Sequence, residues 1–218
     1  MGGIRCILFD MDGTLVDSEP LMARAYTDLL DTGDLTADQI RETYRGWKLA
    51  DTFADLERVL GITLPENFLE TYRARTDQLF RTELRTFDGV EAALSDLDMP
   101  FCVASNAPGR KIRLAMEATG LNRLFGDRLY SAYDVGVWKP DPGLFLATAE
   151  AMGVPPEACL VVEDSPPGLE AARAAGMNAI HFQPEEGEDM GYPRLRHYRD
   201  FSGLVRENQF PLFRSKAL

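Results

Sequence analysis

The stretch that most constrains this chain is Cys6-Ile7-Leu8-Phe9-Asp10-Met11-Asp12-Gly13-Thr14-Leu15. From Ile4 to Phe9 only Arg5 is polar, which is too apolar for a strand with one wet face. The run suits a strand covered on both sides, as in a parallel sheet. Two acids at i and i+2 follow it, and strand alternation aims both carboxylates the same way. Carboxylates taken out of water together are costly unless something positive sits between them. A hard cation with oxygen ligands, Mg²⁺ above all, meets that need. Gly13 permits a backbone shape that other residues resist, and Thr14 sets a hydroxyl at the mouth of the turn. Taken alone, Asp-x-Asp-Gly also reads as an ordinary turn after a buried strand. The rest of the chain decides between the two.

At 218 residues the chain has room for one domain with an insertion, or for two small ones. Its net charge of −12 disfavours DNA, RNA or an anionic membrane as partner. A site for an anionic substrate must therefore be rebuilt locally with a metal, Lys, Arg or backbone N–H groups. No apolar stretch approaches the ~20 residues of a membrane span. The opening Met-Gly-Gly-Ile-Arg leads into the first strand without a signal-peptide plan. Cys6, Cys102 and Cys159 all lie in apolar, strand-like runs without metal-type spacing. They read as buried thiols in a reducing compartment, and the expected location is the cytoplasm.

Periodicity predicts helices over 16–30, 36–44, 50–60 and 65–82, with Ser18 and Thr36 as N-caps and Gly61 closing the third. No strand is expected between 18 and 84, so this is an all-helical block inserted after the first strand. Beyond a helix at 88–97, strands at 101–106, 128–132, 158–164 and 178–182 alternate with helices at 110–119, 142–152 and 168–175. A short edge strand near 197–198 and a helix at 201–208 complete the chain. The expected fold is α/β: a doubly wound, Rossmann-like parallel sheet from 1–17 and 85–218, carrying a helical cap at 18–84. Ligands bind such sheets at the carboxyl ends of strands, where Asp10/Asp12, Ser105/Asn106 and Glu163/Asp164 fall.

Four stretches now bear on one point: Asp10-Met11-Asp12-Gly13-Thr14, Ser105-Asn106, Trp138-Lys139-Pro140-Asp141-Pro142 and Glu163-Asp164-Ser165. In order, spacing and strand context the chain resembles the haloacid dehalogenase superfamily, in its phosphatase and β-phosphoglucomutase-like branch with a helical cap. The resemblance implies a Mg²⁺-dependent hydrolase of a small-molecule phosphate ester. It makes Asp10 the nucleophile that forms an aspartyl-phosphate, and Asp12 the general acid and base. Asp10, the Asp12 carbonyl, Glu163 and Asp164 are the implied metal ligands. Ser105, the Asn106 N–H and Lys139 are the implied phosphate ligands. Plainer readings stand beside these: Ser105, Asn106 or Glu163-Asp164 as helix caps, and Lys139 as a surface lysine.

Substrate choice is expected in the cap and its hinge, at Glu19, Arg45 and Lys48, where Arg45-Gly46-Trp47-Lys48 interrupts the helices. His181 and His197 are read as ordinary residues far from the motifs. The mutases of this branch carry a cap-side His shortly after the first motif, whereas here no His lies between Asp12 and Glu57. That departure favours hydrolysis over phosphoryl exchange. Dehalogenases lack the second acid of Asp-x-Asp, and a non-catalytic phosphate-binding module would need a changed motif position. The stretches around 45–49, 79–84 and 133–142 resemble bacterial 6-phosphogluconate phosphatases. They imply a sugar phosphate or sugar-acid phosphate as substrate, handled by a monomer or weak homodimer.

Overall fold

The structure, a computed structural model, describes residues 3–45 and 47–206. Among the described residues six strands form one sheet: β1 (Cys6–Phe9), β2 (Phe101–Ser105), β3 (Leu129–Ser131), β4 (Cys159–Glu163), β5 (Asn178–Phe182) and β6 (Arg194–Leu195). Their spatial order is β3-β2-β1-β4-β5-β6, all parallel, with β1 in the middle. Strands β1, β2, β4 and β5 are buried throughout, which is why they read as continuous apolar runs.

Alternation splits these strands between two cores. Ile7, Phe9, Val103, Val162 and Ile180 pack on one face, and Cys6, Leu8, Cys102, Cys159 and Val161 on the other. The three cysteines are free and buried.

Between β1 and β2 run α1 (Glu19–Leu29), α2 (Ala37–Tyr44), α3 (Leu49–Leu60), α4 (Phe68–Glu83) and α5 (Val90–Ser95). The first four share a separate core around Tyr26, Ile40, Leu56, Phe68 and Tyr72. Beyond β2 lie α6 (Gly109–Thr119), α7 (Asn122–Phe125), α8 (Ala132–Val135), α9 (Gly143–Ala151), α10 (Pro166–Ala174) and α11 (Phe201–Arg206). Among the described residues no helix is long and apolar enough to cross a membrane.

Three local expectations are corrected. Helix α1 starts at Glu19, because Val16 is held in bridges to Asp12 and Thr86. Ser18 occupies the N-cap position but makes no capping bond, since its hydroxyl is used elsewhere. The edge strand is β6 rather than 197–198: Tyr198 turns inward from a 3-10 turn (Tyr198–Asp200), and its hydroxyl donates to the Thr14 carbonyl at 3.1 Å. Thr36 does cap α2, within a reciprocal capping box with Gln39. Of the expected features, Gly46 and the helix end at 207–208 lie outside the described residues.

Candidate active site

The site is built where the sheet stops. The Asp10 N–H still donates to the Val162 carbonyl at 2.9 Å, so Asp10 continues β1 by one residue and its side chain is fixed and buried. The Lys139 ammonium donates to Asp10 Oδ1 at 2.6 Å and to Glu163 Oε2 at 2.7 Å. It also lies 4.8 Å from the centre of the Phe145 ring.

Lys139 comes from the loop before α9, and Asn106 clamps its backbone. The Lys139 N–H donates to Asn106 Oδ1 at 2.9 Å, and Asn106 Nδ2 donates to the Lys139 carbonyl at 3.3 Å. The Lys139–Pro140 peptide is cis. Burial, then the Glu163 charge, raises the Asp10 carboxyl well above its ordinary range. Burial works to lower Lys139, but the Asp10 and Glu163 charges outweigh it and hold the ammonium above its ordinary value.

Glu163 ends β4. Its Oε1 accepts from the Ser165 hydroxyl at 2.6 Å and from the Ser165 N–H at 3.1 Å. The same hydroxyl accepts from the Gly168 N–H at 3.2 Å, capping α10. The capping role and the proximity to the acids therefore coexist. Asp164 takes a hydrogen bond from Thr14 Oγ1 at 2.9 Å and one from Arg45 Nη2 at 3.3 Å. Burial first, and Glu163 second, push its carboxyl up to about 7.

Oxygens of Asp10, Glu163 and Asp164 lie within 4.8 Å of one another, all three residues buried. Three hard oxygen donors, crowded and desolvated beyond what one ammonium neutralises, fit a divalent cation. Gly13 and Gly168 make the crowding possible. A Cβ on Gly13 would come 2.5 Å from Asp164 Oδ2, and one on Gly168 2.0 Å from Glu163 Cδ.

Asp12 departs from expectation. Its carboxylate does not join the trio: Oδ2 accepts from Lys111 Nζ at 2.8 Å and Oδ1 from Ser18 Oγ at 2.6 Å. The reason is local. After Asp10 the chain leaves the strand, and the N–H groups of Thr14, Leu15 and Val16 all converge on the Met11 carbonyl at 3.0–3.3 Å. Strand alternation therefore ends before Asp12. Ser105 is buried, with its Oγ accepting the Ala107 N–H at 3.1 Å.

Of the residues expected to set substrate choice, Arg45 reaches the acidic trio, pairing through Nε with Glu19 Oε1 at 3.2 Å as well as with Asp164. Burial raises the Glu19 carboxyl, against the pull of Arg45. Lys48 stays exposed at the start of α3, away from this network. His181 is closer than expected, its Nε2 lying 3.2 Å from the Asp164 carbonyl, while His197 is exposed.

Sequence reasoning missed Lys111 altogether. Its one signal is a cation in the first turn of the helix after Ser105-Asn106, where a dipole argument would place an acid.

The model for haloacid dehalogenase-like hydrolases matches residues 4–176. The chain belongs to that family. It is 37% identical over 208 residues to the 6-phosphogluconate phosphatase of Escherichia coli, covering 94% of each chain. A haloacid dehalogenase-like protein of unknown function from Agrobacterium tumefaciens superposes with a TM-score of 0.82 at 30% identity, over 94% of this chain and 99% of that one. A haloacid dehalogenase family hydrolase from Deinococcus radiodurans, solved with bound phosphate and sodium, gives 0.79 at 26%, over 95% and 97%. Haloacid dehalogenase-like hydrolases generally use a divalent metal, and the acidic trio of this chain fits one.

Proposed function

We propose that this haloacid dehalogenase-type phosphatase hydrolyses a small phosphorylated metabolite, a sugar phosphate or sugar-acid phosphate, with 6-phosphogluconate the first compound to test. The observation that carries this reading is the buried Lys139 ammonium between Asp10 and Glu163, with Asp164 beside them. A fixed carboxylate next to fixed positive charge is what attack on a phosphate monoester requires.

Asp10 attacks phosphorus, the phosphorus–ester oxygen bond breaks, and Asp12 gives its proton to the departing alkoxide. Asp12 then takes a proton from the water that attacks the aspartyl-phosphate, which releases inorganic phosphate and restores Asp10. Lys139, the Ser105 hydroxyl and the Asn106 N–H hold the phosphoryl oxygens. Mg²⁺ is the proposed ion, held by Asp10, Glu163, Asp164 and the Asp12 carbonyl, and when bound it supplies positive charge to the phosphoryl oxygens. The helical unit at 18–84 acts as the cap over the sheet unit at 1–17 and 85–218, with Arg45 and Glu19 selecting the substrate. The lack of His between Asp12 and Glu57 supports water as the acceptor. The three free, buried thiols suit a cytoplasmic setting.

Hydrolysis of 4-nitrophenyl phosphate with and without Mg²⁺, repeated on Asp10→Asn, tests the chemistry. A panel of phosphorylated metabolites tests the substrate class. Turnover that requires Mg²⁺ and vanishes in Asp10→Asn is expected, and turnover that persists in Asp10→Asn removes the nucleophile assignment.

A further inference from the structure

Lys111 stands at a seam. It projects from the first turn of α6, in the sheet unit, and its ammonium lies 2.8 Å from Asp12 Oδ2. The same nitrogen is 3.3 Å from Met22 Sδ of α1 and 5.4 Å from the centre of the Phe80 ring of α4, both in the helical unit. Its neighbour Arg110 pairs with Asp77 of α4. The second oxygen of Asp12 is held by Ser18, at the junction of the two units. Both carboxylate oxygens are thus fixed from the seam, and the carboxylate is kept apart from the trio of Asp10, Glu163 and Asp164.

A phosphoryl group seated at Asp10 has the sheet beneath it, so its leaving group must point towards the helical unit. That is the side towards which Asp12 is turned.

We propose that Lys111 is a positioning residue that aims the Asp12 carboxylate at the leaving-group oxygen, along the seam between the helical and sheet units. This rests on the reading of Asp12 as proton donor. An ammonium held between Met22 Sδ, the Phe80 ring and Asp12 has little freedom, so the carboxylate it holds has little either. Removing it leaves Asp12 in place but unaimed.

The test separates aiming from mere support. An alkyl phosphate needs a proton on its departing oxygen, whereas 4-nitrophenolate leaves as a stable anion. kcat/KM covers the steps up to departure of the leaving group. Lys111→Met keeps the stem, and Lys111→Arg keeps the charge. In Lys111→Met, kcat/KM for 6-phosphogluconate, or for whichever sugar phosphate the enzyme turns over fastest, is expected to fall about 10- to 100-fold. For 4-nitrophenyl phosphate it falls less than about threefold, and Lys111→Arg restores most of the alkyl rate. An equal fall on both substrates, or no fall on the alkyl ester, overturns the inference, and Lys111→Gln repeats the comparison should Lys111→Met not fold. Asp12→Asn serves as the reference: if it shows no preference for the aryl ester, the reading of Asp12 fails and the inference falls with it. An equal fall on both esters in Lys111→Met, beside a fall confined to the alkyl ester in Asp12→Asn, condemns the Lys111 role alone.

Discussion

Two lysine–aspartate pairs lie within one site and are built differently. In the inner pair, Lys139 and Asp10 have side chains 3% and 10% exposed, and Glu163 is a second partner to the ammonium. In the outer pair, Lys111 and Asp12 are 19% and 24% exposed, and further contacts come from Ser18 and from Met22 of α1. The inner pair is set by the sheet itself: a strand end, a clamped loop and the last residue of β4. The outer pair is set by how α6 meets α1 and α4. A buried ion is tolerated only with its partner present, whereas a half-open one can turn to water. The inner pair is thus part of what the chain must fold around, and the outer pair is adjustable.

The largest effect should follow from Lys139→Met, which strands Asp10 and Glu163 without their cation. Breaking a buried pair in this way costs about 3–5 kcal/mol, and activity should fall by about a thousandfold or more. Lys111→Met, by contrast, should change stability by no more than about 1 kcal/mol. Urea unfolding of both variants checks this. Equal losses would erase the distinction between a structural and an adjustable pair.

Next comes Gly168→Ala. Its Cβ would meet Glu163 Cδ at 2.0 Å, so Glu163 must move off Lys139 or α10 must shift. Destabilisation of about 2 kcal/mol or more is expected, with most activity lost. Alanine at Gly120, a left-handed helix end with 3.6 Å to its nearest neighbour, carries only the backbone strain. An inner site that tolerated Gly168→Ala would be less tightly determined than its geometry implies.

Legibility in the sequence follows the same division. Whatever depends on strand continuity could be read directly: β5 is bounded by the expected residues, and Asp10, Ser105 and Glu163 sit at or just past strand ends. Lys139 joined them through its local motif. What depends on one unit meeting another could not be read. The Lys111–Asp12 pair spans 99 residues of sequence, and no periodicity links its members. Ser18 looks like a cap because caps and hinge hydroxyls share one residue type, and only the fold reveals that Asp12 takes the hydroxyl. His181 looked remote because its proximity to the Asp164 carbonyl runs between neighbouring strands β4 and β5.

A pH experiment sharpens the inner side of the comparison. The Asp164 carboxyl is pushed up to about 7 in the folded chain, against about 3.9 when unfolded. Between these values the folded state holds a proton that the unfolded state has lost. Stability from this group is therefore full below the lower value and disappears as pH rises through the upper one. For metal-free protein the loss between pH 5.5 and 7.5 is about 2 kcal/mol. His181, lowered by burial, works in the opposite sense, so the measurement is the slope of wild type minus that of Asp164→Asn. An ion that bound the trio would displace protons, so added Mg²⁺ should raise the melting temperature more at pH 7.5 than at 5.5. The same increment at both values would mean that the ion does not bind at these carboxylates.

The smallest effects are expected where the helical unit meets solvent, and there the comparison can be made between two cations three residues apart. Arg45 is half-exposed yet tied to Glu19 at 3.2 Å and Asp164 at 3.3 Å, whereas Lys48 is exposed outside that network. Neither replacement should change stability by more than about 1 kcal/mol, because exposed charges gain little from pairing in water. Their kinetics should differ. Arg45→Gln removes a guanidinium that already faces the acidic trio and can turn to an incoming anion, so KM for a sugar phosphate should rise about fivefold to tenfold, with kcat changed less. Lys48→Ala should leave KM within about twofold. If the two variants raise KM alike, either cation of this stretch serves an incoming anion equally, and the contact between Arg45 and Asp164 carries no special weight. A rise confined to Arg45→Gln instead shows that this contact marks the path an anion takes to the inner pair.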